Sequence, residues 1–308
     1  MKKYIKVMRL DHWIKQFFIV PGCVCAIFLT GVVWDVSLVV RFILGFLATS
    51  LIASSNYVIN EYLDAEFDKF HPTKSQRSVV SEGVNGKVIW ILWAVLALAG
   101  FALGWLVNGP FLLMEVWLWI MGIIYNVEPV RTKDVAILDV LSESVNNAIR
   151  LLMGWFIVSS GSVPPCSVIL GYWMAGAFLM ATKRYAEYRM IDNPELAGSY
   201  RKSFKFYSEK SLLISAFFYA MCSVFFVGIF LIKYRIELVL FMPVLMGLFC
   251  YYFWISFKSD SAVQKPEKLY HEKGLMLYVL VIVIILGILL FVDMPWLDFL
   301  VSEELLLI

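Results

Sequence analysis

Apolar residues run along this chain in long unbroken stretches separated by short polar ones, and the stretches can be marked at about 15–34, 38–62, 87–108, 111–125, 137–160, 166–187, 211–231, 237–257 and 273–293. Each is close to the roughly 20 residues a helix needs to cross a hydrocarbon core. Only helices and closed barrels satisfy their backbones in lipid, and these runs are too long and too evenly apolar for barrel strands. The pattern predicts an all-α polytopic membrane protein: a bundle of nine transmembrane helices in a single domain over 1–308, with no low-complexity linker or short repeat dividing it.

Composition agrees, with 61% hydrophobic and 16% charged residues and a mean hydropathy of +0.79, far from the balance of a soluble globular chain. The basic opening Met1-Lys2-Lys3 leads into a run that continues past Trp34 without a small-residue cleavage site, so it reads as a first transmembrane helix rather than a cleaved signal. The five cysteines (Cys23, Cys25, Cys166, Cys222 and Cys250) lack zinc or redox spacing and read as small buried hydrophobes. His12, His71 and His271 are scattered without metal spacing.

A formal charge of +2 is too small to imply a nucleic-acid partner, and the distribution of charge reports topology instead. Lys and Arg gather at the amino terminus (Lys2, Lys3, Lys6, Arg9) and in alternate loops, the sixth being richest. Lys233, Arg235 and Arg41 break the pattern. The positive-inside rule then predicts a multi-pass protein of a bacterial inner membrane, amino terminus in the cytoplasm and carboxy terminus outside, with a cavity facing the cytoplasm.

Chemistry concentrates at the inner end of the second run. Asn60, Asp64 and Asp68 recur every four residues, so one helix face presents an amide and two carboxylates over about two turns. Intramembrane acids are costly and mark function by default. Mg2+ suits such a set, because it takes one or two protein carboxylates and completes its shell with water and substrate phosphate. Lys74 and Arg77 just beyond favour a phosphate ligand. In the fifth run Asp139, Glu143, Asn146 and Arg150 form a polar stripe, read either as substrate contacts or as mutual structural pairs. An ion path is the competing reading, but the outer halves of the runs are nearly uncharged.

The N-x-x-x-D-x-x-x-D pattern of Asn60, Asp64 and Asp68 resembles that of the UbiA-type intramembrane prenyltransferase superfamily. The resemblance extends to the opening Arg9-Leu10-Asp11-His12-Trp13-Ile14-Lys15-Gln16 and to the run Tyr125-Asn126-Val127-Glu128-Pro129-Val130-Arg131-Thr132-Lys133. It implies that Asn60, Asp64 and Asp68 hold magnesium diphosphate. Glu61 stands where Asp is commoner. Where typical members carry a second aspartate pair on the sixth helix, this chain reads Ala181-Thr182-Lys183-Arg184-Tyr185-Ala186-Glu187. That run resembles the branch making decaprenylphosphoryl-5-phosphoribose from phosphoribosyl diphosphate and a polyprenyl phosphate.

The resemblance implies Asp64, Asp68, Lys183 and Tyr185 as catalytic residues, with Lys15, Lys74, Arg77, Tyr125, Arg131, Lys133, Asp139, Arg150, Arg184 and Glu187 contacting substrate. The partners it implies are phosphoribosyl diphosphate, a polyprenyl phosphate and membrane lipids, and it leaves room for a homo-oligomer. The alternative is ordinary prenyl transfer from a diphosphate to an aromatic acceptor, for which a second acidic pair is expected.

Overall fold

The computed structural model describes residues 2–69, 75, 78–81, 83–258, 261–264 and 266–300. Among these, the long helices are α1 (Val20–Thr30), α2 (Val36–Leu63), α3 (Gly86–Val107), α4 (Gly109–Asn126), α5 (Leu138–Val158), α6 (Cys166–Ile191), α7 (Glu209–Tyr234), α8 (Met242–Ser256) and α9 (Lys273–Phe291). Among the described residues eight stretches are long and apolar enough to cross a membrane, and α5 is not one of them. Its first half carries Asp139, Glu143, Asn146 and Asn147, and every residue from Ala148 to Val158, Arg150 included, is buried. Packed against α1, α2, α4 and α6, α5 is shielded from lipid, so it can keep a polar stripe that a lipid-facing helix could not.

Local chemistry sets several boundaries. Asp35 starts α2 by accepting from the Leu38 amide at 2.7 Å. Asn108 starts α4 through the Phe111 amide at 2.9 Å and donates to the Phe156 carbonyl at 2.7 Å, tying the α3–α4 hairpin to α5. The first span departs from a simple helix: Leu10–Ile19 is wound as a 3-10 helix before α1, and α1 ends at Gly31 in the left-handed region. Pro21 at the first turn of α1 has no amide to donate, which fits a change of winding there.

Lipid gives no hydrophobic drive for helix association, so small residues set close approaches. At the α1–α5 crossing a Cβ on Gly22 would lie 2.0 Å from the Leu151 carbonyl oxygen, and one on Gly154 would lie 1.9 Å from that of Ile19. Helices α2 and α4 pack on α5 with α3 against them, α6 also packs on α5 with α7 against it, and α8 and α9 pack onto each other, with α8 also touching α6 and α7. The two halves enclose a cavity of about 860 Å³ at the end of the bundle where Asp64, Lys183 and Arg201 converge.

Candidate functional site

The cavity is reached by side chains from the 3-10 segment (His12, Lys15), α2 (Asn56, Asn60, Asp64), α4 (Tyr125, Asn126), α5 (Glu143, Asn146, Arg150) and α6 (Lys183, Arg184, Glu187). Tyr200 and Arg201 join from the segment Pro194–Tyr200 and the residue after it. The stripe of α2 is not one continuous helix face. Asp64 caps α2 and a separate short helix, Ala65–Asp68, follows, yet Asp68 still bonds the Asp64 carbonyl at 2.8 Å and both side chains line the cavity.

Around Asp64 two cations converge on one carboxylate. Its Oδ1 accepts from Lys133 Nζ and, at 3.1 Å, from Arg131 Nη2. Lys133 also donates to Asn126 Oδ1 at 2.9 Å, which accepts from Asn60 Nδ2 at 2.5 Å. Burial works to raise the Asp64 carboxyl, but Lys133, Arg131 and Arg201 outweigh it and hold it below its ordinary range. Burial also acts most strongly on the Lys133 ammonium, pushing it down to about 8 with help from Arg131 and Arg201 and against the pull of Asp64. The Asp64 side chain remains 18% exposed. Arg131 and Lys133 line a small hollow beside Asp64 that Arg201 shares, rather than the main cavity.

Across the cavity the arrangement is inverted, with one guanidinium inside a cage of acids. Arg184 reaches Asp139 Oδ2 at 3.3 Å, Glu187 Oε2 at 3.1 Å and the Tyr125 hydroxyl at 3.2 Å, and it also pairs with Glu143. Tyr125 donates to Glu143 at 2.7 Å. Asp139 is fully buried and accepts from Tyr207 at 2.7 Å and Ser203 at 3.1 Å, with Arg201 at 3.6 Å. The stripe on α5 is thereby divided: Asp139 and Glu143 pair with Arg184 rather than with Arg150.

Lys183, one residue before Arg184, lines the cavity and makes no hydrogen bond or ion pair among the described residues. Tyr185 lies elsewhere. Two residues advance a helix by about 200°, so Tyr185 faces away from the cavity, among Phe253, Phe257 and the Arg189 guanidinium. Lys15 is at the cavity wall with its Nζ 3.2 Å from His12 Nδ1. Lys74 and Arg77 lie outside the described residues.

Sequence reasoning passed over Asn126, which joins Asn60 to Lys133, and Arg201, which reaches Tyr125 at 3.3 Å from the sixth loop. Their signals were present, in the amide following Tyr125 and in the richest basic loop.

Among the described residues, no three His, Cys, Asp or Glu side chains gather into a metal-binding group. An amide and two carboxylates on the cavity wall suit a hard cation whose remaining ligands come from water and phosphate, as Mg2+ prefers, so Asn60, Asp64 and Asp68 fit that ion.

The sequence model of the UbiA prenyltransferase family matches residues 18–281. A decaprenyl-phosphate phosphoribosyltransferase from Mycolicibacterium smegmatis is 26% identical over 212 residues, covering 68% of this chain and 63% of that relative's length. A 4-hydroxybenzoate octaprenyltransferase from Shewanella is 26% identical over 194 residues, 62% of this chain and 64% of that one. Among solved structures, a UbiA homolog from Archaeoglobus fulgidus bound to GPP and Mg2+ superimposes with a TM-score of 0.69 at 19% identity, over 91% of this chain and 99% of that one.

Proposed function

The chain belongs to the UbiA prenyltransferase family, a family of multi-pass membrane transferases, and on that premise we propose that it moves 5-phosphoribose from phosphoribosyl diphosphate to a polyprenyl phosphate, releasing diphosphate. The observation that carries this reading is Lys183, an ammonium on the cavity wall with no hydrogen bond or ion pair among the described residues, where the prenyl-transferring pattern calls for an acidic pair. A donor with phosphate at both ends and a phosphate acceptor need more cation than an allyl diphosphate does. The relation to a decaprenyl-phosphate phosphoribosyltransferase supports the same choice.

In this reading Asn60, Asp64 and Asp68 hold Mg2+, which supplies charge neutralisation to the departing diphosphate. Lys133 and Arg131, which pair with Asp64, turn to phosphate oxygens. Lys183 and Lys15 hold the lipid phosphate over ribose C1. That phosphate is already anionic at neutral pH, so its attack needs no dedicated base, and positioning and electrostatics carry the rate. A single displacement inverts C1 from α to β. The lipid enters from a bacterial inner membrane and the soluble donor from the cytoplasm, where the basic loops and amino terminus lie.

The test uses purified protein with Mg2+, labelled phosphoribosyl diphosphate and a polyprenyl phosphate, and expects labelled lipid plus diphosphate. Similarity to a 4-hydroxybenzoate octaprenyltransferase favours the second reading, prenyl transfer to an aromatic acid. Product formed only from a prenyl diphosphate and an aromatic acceptor would establish that one and remove the first.

A further inference from the structure

Among the described residues that line the cavity, Arg150 is the cation farthest from Asp64 along the bundle, and no carboxylate pairs with it. Its Nε donates to Gln16 Oε1 at 2.8 Å and its Nη1 to the Asn146 carbonyl at 3.1 Å, both neutral acceptors, and no carboxylate lies within ion-pair distance among the described residues. It is 9% exposed, and that remainder faces the cavity. A buried cation ordinarily finds a counter-charge. The acids of its own helix, Asp139 and Glu143, are taken by Arg184. Beneath it Gln16 keeps an unpartnered buried Nε2, and beside it Asn146 keeps an unpartnered Oδ1, so the surroundings are polar without supplying charge.

Depth separates this group from the metal-binding end. Arg150 follows Glu143 by two helical turns, about 10 Å of rise. On the facing helix, Thr49 meets Met153 at 4.0 Å, which places Arg150 near the level of Ile52 and Ala53, while Asp64 stands three turns away at the cavity mouth. The guanidinium reaches back one turn toward Asn146, leaving it roughly 12 Å deeper than Asp64 by the same helical rise. Phosphoribosyl diphosphate, with its phosphates on opposite sides of the ribose ring, spans a distance of that order.

We infer that Arg150, oriented by Gln16, forms a second anion subsite at the floor of the cavity, and that it receives the 5-phosphate of the sugar donor. The donor then lies lengthwise in the cavity, diphosphate at Asn60, Asp64 and Asp68, phosphate at Arg150, with C1 presented between them beside Lys183. This assignment rests on the phosphoribosyl reading. The shared chemistry is a terminal anion, which the carboxylate of an aromatic acid could also supply.

The experiment measures binding to the full-length protein in detergent with Mg2+, using ribose 5-phosphate, inorganic diphosphate and 4-hydroxybenzoate as separate probes. Wild type is expected to bind the first two. Arg150→Met should weaken ribose 5-phosphate at least tenfold while diphosphate stays within about twofold, the latter certifying a folded protein, and Arg150→Lys should restore part of the loss. Ribose 5-phosphate binding that survives Arg150→Met, or loss of both ligands alike in Arg150→Met and Arg150→Lys, overturns the subsite and leaves the phosphoribosyl reading standing. Arg150-dependent binding of 4-hydroxybenzoate with none of ribose 5-phosphate overturns both.

Discussion

Two charged clusters face each other across the cavity, and they are built in opposite senses. At Asp64 two cations share one partly exposed carboxylate beside open space. At Arg184 three carboxylates and a phenol enclose one guanidinium that is 1% exposed. The first has cation to spare and room for a ligand; the second is saturated and ties α4, α5 and α6 to the segment carrying Ser203 and Tyr207. The contrast separates a cluster poised to exchange partners from one that fixes the walls, although both consist of the same residue types.

The comparison breaks or sharpens under four measurements. The largest effect is expected for Asp64→Asn, which should lower magnesium-dependent phosphoribosyl transfer by about 10³-fold or more while the purified protein stays folded; near-normal turnover would remove Asp64 from the chemistry. Arg184→Met should cost about 3–5 kcal/mol of stability, because it strands buried carboxylates. It would be read as loss of monodisperse protein and a lower unfolding midpoint, and a stable but inactive variant would make the cage part of the site. Lys183→Met should leave stability unchanged and weaken the lipid phosphate by about 1.5–3 kcal/mol, the worth of a charge-assisted contact; a change in unfolding midpoint instead would make it structural.

The smallest effect concerns pH in magnesium-free protein. The Lys133 ammonium titrates near 8 in the fold against 10.5 for a free lysine, so between those values the unfolded chain holds the extra proton and stability rises with pH, by about 1 kcal/mol per unit. Asp64 adds a dependence of the same sign at lower pH: its carboxyl is held low, so the stability it contributes is lost as pH falls below the ordinary carboxylate range. Denaturant midpoints across pH 7 to 10 for wild type and Lys133→Arg should show the alkaline rise only in the former.

The helical bundle was legible because lipid leaves helices as the economical reading of long apolar runs. The boundaries of α2, α3 and α4 fall within two residues of the hydropathy pattern. The 3-10 winding of Leu10–Ile19 was not legible, since apolarity is blind to which turn the backbone takes. The spacing of Asn60, Asp64 and Asp68 announced a polar face at the cavity. The run Lys183-Arg184-Tyr185 read in the sequence as belonging wholly to the site, but successive helical residues are rotated by about 100°, and that rotation sends one into the cavity, one into the acid cage and one into an aromatic cluster. Ser203 and Tyr207, which help hold Asp139, come from a distant loop and carried no spacing signal.

The crossing of α1 and α5 at Gly22 and Gly154 bears on how the chain is made. Cys23 bonds the Gly154 carbonyl at 3.2 Å across 131 residues, and Gln16 meets Arg150 across 134. At ribosomal rates of about 5–20 residues per second, the first span waits on the order of ten seconds in the membrane before its partner emerges. Throughout that interval Gln16 lacks its Arg150 partner and Gly22 lacks the Leu151 backbone it packs on. The first span is thus sealed into place midway through synthesis, when the fifth helix arrives, and the cavity is completed only after α6 and the segment carrying Arg201 follow.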